Sequence, residues 1–296
     1  MAQAKIIATS DWHLRRPRPV ARTDEDFMGA LLKKVRFVIN LAREEDAILA
    51  LAGDLFDSAR ATIVPYEIVA QLINLFRGYD KLLLAAGQHD MRYHQSSLEN
   101  TPFQIIETVV FPRGRKKQGK IDGIYYTIVD WGEEIPEPEG HPAVLIIHET
   151  VLKGNEPFAG VPAKELLKNH DYDLIISGDN HKRFTARVGH KLLVNSGSLA
   201  RLTIDQKDFE PQVAKIEWTG DAFEIIDWIT VPHEKDVFID LKNNKQEELA
   251  DVSEFIEKLA QEKVTKRDFL GLVREAAREH DLVSILDKVL KRADLN

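Results

Sequence analysis

Short apolar runs that stop at a polar residue dominate the first two thirds of the chain. KIIATS (5–10), AILALA (47–52), KLLLAA (81–86), AVLII (143–147) and DLIIS (173–177) have strand length and strand composition. Between the first three lie stretches with helical spacing. Phe27, Leu31, Val35, Val38, Ile39 and Ala42 share one helical face up to Arg43, and Thr23 with Asp26 reads as a helix-start box. YEIVAQLINLF follows Pro65 and is stopped by Gly78. This β-α-β-α-β order predicts parallel strands joined by right-handed crossovers.

Residues 91–120 are less regular. FPRGRKKQGK, with Arg113, Arg115, Lys116, Lys117 and Lys120, reads as an exposed loop. GIYYTIVDW reads as a strand and EEIPEPEGHP as a turn-rich acidic connector. Helix PAKELLKN follows AVLII. Strand KLLVN follows DLIIS and runs into SGSLARL, where a turn at Ser198 is expected. VAKIEW and AFEIIDWITV, joined by TGD, predict a hairpin. Trp131, Trp218 and Trp228 fall in strand patterns and are expected in the core. The two alternating halves predict an α/β (α+β) sandwich, two facing mixed β-sheets flanked by helices. Past about Lys242 the pattern turns helical, with apolar faces on Val252, Phe255, Ile256 and Leu259, on Phe269, Leu272, Val273 and Ala276, and on Leu282, Ile285, Leu286, Val289 and Leu290. The chain is therefore expected to divide into a core, 1–241, and a helical C-terminal appendage, 242–296.

Composition narrows the chemistry. The 296 residues are 44% hydrophobic, ample for a buried core. Cysteine is absent, so a metal would have to sit on oxygen and imidazole ligands. No run approaches membrane-spanning length, and the N-terminal stretch lacks the pattern of a secretory signal; both predict a cytoplasmic protein. The net charge of −8 excludes attraction of nucleic acid over the whole surface, so a phosphate-bearing polymer would need local basic loops or metals.

The polar residues that end the apolar runs carry the chemistry. The runs lead in turn into Asp11-Trp12-His13, Gly53-Asp54-Leu55-Phe56-Asp57, Gly87-Gln88-His89-Asp90, His148, and Gly178-Asp179-Asn180-His181. In an open α/β sheet that edge is where ligands bind. Any one of these is a common turn; five in order, all hard-ligand types, predict a metal centre around Asp54.

This set resembles the D-x-H, G-D-x-x-D, G-N-H-[DE], H, G-H-x-H pattern of the calcineurin-like metallophosphoesterases, over about Lys5 to Arg201. Within that superfamily SDWHL, ARTDEDF and AGDLFD are most similar to the SbcD-type DNA repair exonuclease subunits, which work with SbcC-type ATPases. The resemblance implies two divalent ions between two sheets and hydrolysis of a DNA phosphodiester by a metal-activated water. It implies Asp11, His13 and His181 on the first ion, Asp54 bridging, and Gln88, His148 and Asp179 on the second. It makes His89 the general acid and Asp57 the residue that orients it. Two positions depart from the pattern: Gln88 stands for Asn, and Asp179 for the first His of the last motif. Both fall on the second ion. A longer and a shorter arm are expected to compensate, and the added oxygen favours Mn²⁺, or Mg²⁺, over softer metals. Arg15, Arg16 and Arg18 follow His13 and are candidate contacts to DNA phosphates, with Arg201 and His94 as further substrate contacts. An SbcC-type ATPase is the implied partner, docking through the appendage, and a homodimer is left open. The alternatives are a phosphodiesterase for cyclic nucleotides or nucleotides, and a metal-binding scaffold that recruits the ATPase without turnover.

Overall fold

Apolar runs buried on both faces belong in the middle of parallel sheets, and β1 (Lys5–Thr9), β2 (Ile48–Ala52) and β3 (Leu82–Ala85) pair in parallel. The computed structural model describes residues 4–92, 97–154, 156 and 159–239. Helices α1 (Phe27–Glu44) and α2 (Tyr66–Phe76) connect these strands, and α3 (Pro102–Val110) follows β3. The second half begins with β4 (Gln118–Ile121), β5 (Ile124–Val129) and β6 (Ala143–Ile147). After a small parallel pair, β7 (Val151–Leu152) with β8 (Val161–Pro162), come α4 (Ala163–Asn169), β9 (Leu174–Ser177), β10 (Phe184–Val188) and β11 (Lys191–Asn195). The hairpin β12 (Gln212–Trp218) and β13 (Phe223–Thr230) returns to the first sheet, where β12 runs antiparallel to β1. The strand orders are β13-β12-β1-β2-β3 and β10-β11-β9-β6-β5-β4. This is the expected mixed sandwich flanked by helices.

Strand alternation sorts the core. Ile6, Ala8, Ile48, Ala50, Ala52, Leu83 and Ala85 of the first sheet pack on Val144, Ile146, Leu174, Ile176 and Val194 of the second. Their neighbours Ile7, Leu49, Leu51 and Leu84 pack under α1 and α2, and Leu145, Ile147, Ile175 and Leu193 under α4. Each fully buried Leu or Ile contributes roughly 1.5–3 kcal/mol.

Several local expectations change. Asp26, not Thr23, caps α1, accepting from the Gly29 amide at 2.8 Å. Helix α3 is an addition to the expected elements, although Thr101 caps it and Pro102 opens it. Strand β10 is another. Trp131, Trp218 and Trp228 are only partly buried; Trp12 is the fully buried one, stacked on Phe76 at 6.2 Å with its indole N–H donating to Thr9 Oγ1. The chain divides into two units, Met1–Phe238 and Ile239–Asn296, and the helices expected past Lys242 lie outside the described residues. No helix among the described residues is long and apolar enough to cross a membrane.

The basic stretch 112–120 is no free loop. The Arg115 guanidinium is buried and forked onto Asp130, at 2.8 and 2.6 Å, and it also bonds Glu107 and the Leu84 carbonyl. Burial would raise the Asp130 pKa, but Arg115, the Ala86 amide and Lys117 hold it below the usual carboxylate range. Because Ala86 directly precedes Gly87, this pair anchors the loop that carries Gln88 and His89. Arg115→Met strips the buried Asp130 of its guanidinium fork and leaves it only Lys117 and the Ala86 amide. The expected loss is about 3–5 kcal/mol of unfolding free energy, read by chemical denaturation; a change under about 1 kcal/mol would show the pair to be dispensable.

Candidate metal centre

The ends of β1, β2, β3, β6 and β9 meet. The Asp11 amide donates to the Gly53 carbonyl (3.2 Å) and the His13 amide to the Asp54 carbonyl (3.0 Å). The His89 amide donates to Asp54 Oδ1 (3.0 Å), and the Asp179 amide to Asp11 Oδ1 (3.1 Å). His148 crosses between the sheets, its Nδ1 2.7 Å from the Ala52 carbonyl. A carbonyl only accepts, so Nδ1 carries a proton and Nε2 is the nitrogen turned to the centre. This approach explains Gly53 and Gly87. A Cβ on Gly53, whose φ is +82°, would lie 2.2 Å from His148 Nδ1, and one on Gly87 would lie 2.1 Å from Asp54 Oδ1.

Asp11, His13, Asp54 and Asp179 all have left-handed backbones, φ 51°, 44°, 48° and 71°. Such conformations cost about 1–3 kcal/mol each and persist where surrounding structure holds them for a purpose. Here they turn side chains inward from strand ends. Asp54 Oδ2 is the hub, 3.4 Å from His148 Nε2, 3.7 Å from His13 Nε2 and 4.0 Å from His89 Nε2. Asp11 Oδ1 lies 3.9 Å from His13 Nε2 and 3.8 Å from His181 Nε2, and the two imidazole nitrogens face each other at 3.0 Å.

These residues fit divalent cations. Among the described residues, Asp11 Oδ2, Asp54 Oδ2, Gln88 Oε1 and His148 Nε2 are buried without a hydrogen-bond partner. Such atoms are costly to leave unpaired in a folded interior. Asp11-His13-His181, His13-Asp54-His89 and Asp11-Asp54-His148 each bring three donor atoms within 4.8 Å of one another. The electrostatics agree. Burial alone would lower the histidines, but the Asp57 hydrogen bond with Asp54 and Asp11 raises His13 to about 9. Against the same burial, Asp54 and then Asp11 raise His148 to about 10. Burial opposes ionisation of Asp54 too, yet His148, His13 and His89 hold it well below the carboxylate range. His181 is lowered by burial and by His13. Protons on His13 and His148 thus neutralise carboxylates that metal cations would otherwise serve.

The two departures from the motif pattern find each other. Gln88 Nε2 donates to Asp179 Oδ1 at 2.5 Å, and Thr150 Oγ1 donates to Asp179 Oδ2. Gln88 thereby keeps Oε1 free, while both Asp179 oxygens already accept one bond. A second ion would have to share Asp179 with these two donors.

Other placements differ from expectation. His89 Nδ1 lies 3.1 Å from the Asp57 main-chain carbonyl, whereas the Asp57 carboxylate contacts His13 Nδ1 (3.4 Å) and Arg15 (2.7 Å). The Asp57 side chain therefore steers His13 and Arg15, and the backbone orients His89. Arg15 is held by this pair and by the Pro17 carbonyl, Arg16 pairs with Glu67, and Arg18 bonds the Asp24 carbonyl. Arg201 is 1% exposed and binds the Lys207 and Glu234 carbonyls, so it is a buried stitch and not a surface phosphate contact. Ser198 makes the expected turn, its hydroxyl bonded to the Ala200 and Asp11 carbonyls. His94 lies outside the described residues.

Two supporting residues are not evident from the sequence alone. Asp90 accepts from the Leu55, Phe56 and Gly87 amides and clasps two ligand loops together; burial, then Asp54, pushes its carboxyl up to about 7. Its one signal is the fourth position of Gly87-Gln88-His89-Asp90. Gln206, 3.4 Å from His181 Nδ1, has no local signal.

The calcineurin-like phosphoesterase family pattern matches residues 4–183. Among solved structures, the chain is similar to a putative 5′-nucleotidase from Staphylococcus aureus (14% identity, 84% of this chain and 58% of that one, TM-score 0.46). It is also similar to an archaeal phosphodiesterase (14%, 76% and 99%, 0.43) and to the calcineurin-like phosphoesterase YfkN from Bacillus subtilis (13%, 86% and 99%, 0.45). No curated protein sequence matches.

Proposed function

The chain belongs to the calcineurin-like phosphoesterase family, and from that premise we propose that it is a metal-dependent phosphodiesterase that cuts DNA. The supporting observation is room on both flanks of the centre. A cavity of about 850 Å³ beside His89 is lined by Asp57, Ser58, Arg60, Ile63 and Asn100. Another of about 400 Å³ beside Asp179 and His181 is lined by Lys182, Thr203 and Phe209. A phosphodiester carries an organic group on each side of phosphorus. Exposed Arg60 and Lys182 offer charge to the next phosphate on either side.

In this reading Asp11, His13 and His181 would hold one ion and Gln88, His148 and Asp179 a second, with Asp54 placed to serve both. Such ions, Mn²⁺ by preference, would supply Lewis acidity at the phosphoryl oxygens and a water of lowered pKa. The chain's own residues do the rest. His13 and His148 are buried at the centre. The His89 side chain is 34% exposed and borders the larger cavity. Its Nδ1–H is fixed by the Asp57 carbonyl, so Nε2 is the atom that hands a proton to the leaving oxygen. A cytoplasmic setting and an SbcC-type ATPase partner belong to the same proposal.

A second reading, a phosphodiesterase for small substrates, is favoured by the engagement of Arg15, Arg16 and Arg201 within the protein. One assay separates them: Mn²⁺-loaded protein with single-stranded DNA, double-stranded DNA and bis-p-nitrophenyl phosphate. Chelator-sensitive DNA cleavage is expected. Hydrolysis of the small ester alone sinks the nuclease, and metal binding without any hydrolysis leaves the scaffold.

A further inference from the structure

Away from the metal centre, three cationic side chains share one interior. Arg22, Lys34 and Arg201 are 4%, 5% and 1% exposed. Together with Ala30, Lys33, Asp24 and the 232–234 segment they line a cavity of about 300 Å³. The lining residues carry four cations, Arg22, Lys33, Lys34 and Arg201, against two carboxylates, Asp24 and Glu234. Asp24 is already taken by Arg22, at 2.7 and 2.6 Å. Buried charge of one sign is unfavourable unless something of the opposite sign answers it.

The donors left over point to what would answer it. Among the described residues Lys34 Nζ donates once, to the Leu199 carbonyl at 2.9 Å, and an ammonium has three N–H groups. Arg201 Nε is buried without a hydrogen-bond partner among the described residues. The crowding registers on Lys34, which burial first, then Arg201 and Arg22, push down to about 7. His233, on the same lining, is lowered by burial, then by Arg201 and Lys34. Leu199 in turn donates its amide to the Asp11 carbonyl at 3.1 Å, so the cavity adjoins the back of a metal-centre loop.

We propose that this cavity is a binding site for a small phosphate-bearing anion, held by charge-assisted hydrogen bonds from Lys34 and Arg201. The competing account is that Arg22 and Arg201 merely tie the Arg201, Lys207 and Glu234 main chains together through their carbonyls, with Lys34 neutral beneath them.

Inorganic phosphate is the probe, and thermal unfolding of the full-length chain in chloride buffer is the readout. Because phosphate can also visit the metal centre, two substitutions assign the effect. The phosphate-induced rise in unfolding midpoint is expected in the wild type and to survive Asp54→Asn. In Lys34→Met it is expected to vanish, with phosphate affinity at least about tenfold weaker, the scale of one charged hydrogen bond. Lys34→Met should also raise the midpoint in phosphate-free buffer, since it removes like-charge repulsion; the stitching account gives a drop and no phosphate dependence. Lys34→Gln keeps a donor for the Leu199 carbonyl and replaces Lys34→Met should that variant not fold. A phosphate effect that persists without Lys34, that disappears in Asp54→Asn, or that is absent from the wild type overturns the site.

Discussion

Replacing His89 with Asn is expected to lower DNA turnover roughly 10²–10⁴-fold, the range for losing a positioned general acid, with the metal ions still bound. The competing view is that His89 is itself a ligand, since its imidazole shares a cluster with His13 and Asp54. Position argues against this. His89 keeps its Nδ1 on the Asp57 carbonyl and borders a cavity with room for a substrate arm. The leaving group decides between the two. p-Nitrophenolate departs without a proton, so bis-p-nitrophenyl phosphate should lose far less than DNA, whose leaving alkoxide needs one. A ligand would depress both substrates alike and lower the metal content. Full turnover in His89→Asn, or equal losses with metal missing, sinks the assignment. Asp57→Asn is not a substitute for this test, because the carboxylate contacts Arg15 and His13, and it is the main-chain carbonyl that meets His89.

That last point marks the boundary of what the chain betrays before folding. Residues that end β1, β2, β3, β6 and β9 are readable because apolar runs in βα order must lie parallel, and parallel strands discharge at one edge. That rule places Asp11, His13, Asp54, His148 and His181 at one edge, and the resemblance of the motifs adds their roles. Side-chain direction does not follow from either. Asp57 sits in the motif, but only packing decides that its carboxylate turns to His13. Arg115 and Arg201 look like surface cations in sequence. Their burial depends on Asp130 and on the Glu234 carbonyl, partners 15 and 33 residues away. Gln88 and Asp179, 91 residues apart, each read as a weakened ligand, and only the fold shows that one braces the other. Helix α3 is legible in Thr101-Pro102, but its apolar face, Phe103 and Ile106, is too short to show a period.

Asp54→Asn should be the most damaging single substitution, because Asp54 Oδ2 faces three imidazoles at once. Wild-type protein titrated with Mn²⁺ is expected to show two binding events of unequal strength, the weaker one at Gln88, His148 and Asp179. In Asp54→Asn both should weaken and turnover should fall roughly 10³-fold, the equivalent of several kcal/mol of lost electrostatic stabilisation. The metal-free protein gives an independent reading of the same charge. His13 and His148 titrate at about 9 and about 10 in the fold, against 6.5 as the ordinary value. A group raised by folding contributes stability that is complete below its unfolded pKa and is lost as pH rises through the folded one. Metal-free protein should therefore lose stability steadily from about pH 6.5 to about pH 10. Without the Asp54 carboxylate, the largest attraction on His148 is gone, and that slope should flatten. Metal loading at a pH about one unit above the ordinary imidazole value must displace the same protons, so calorimetry in two buffers of different ionisation enthalpy should report proton release in the wild type. An Asp54→Asn variant that binds two ions as before, with an unchanged pH slope, would place the hub elsewhere.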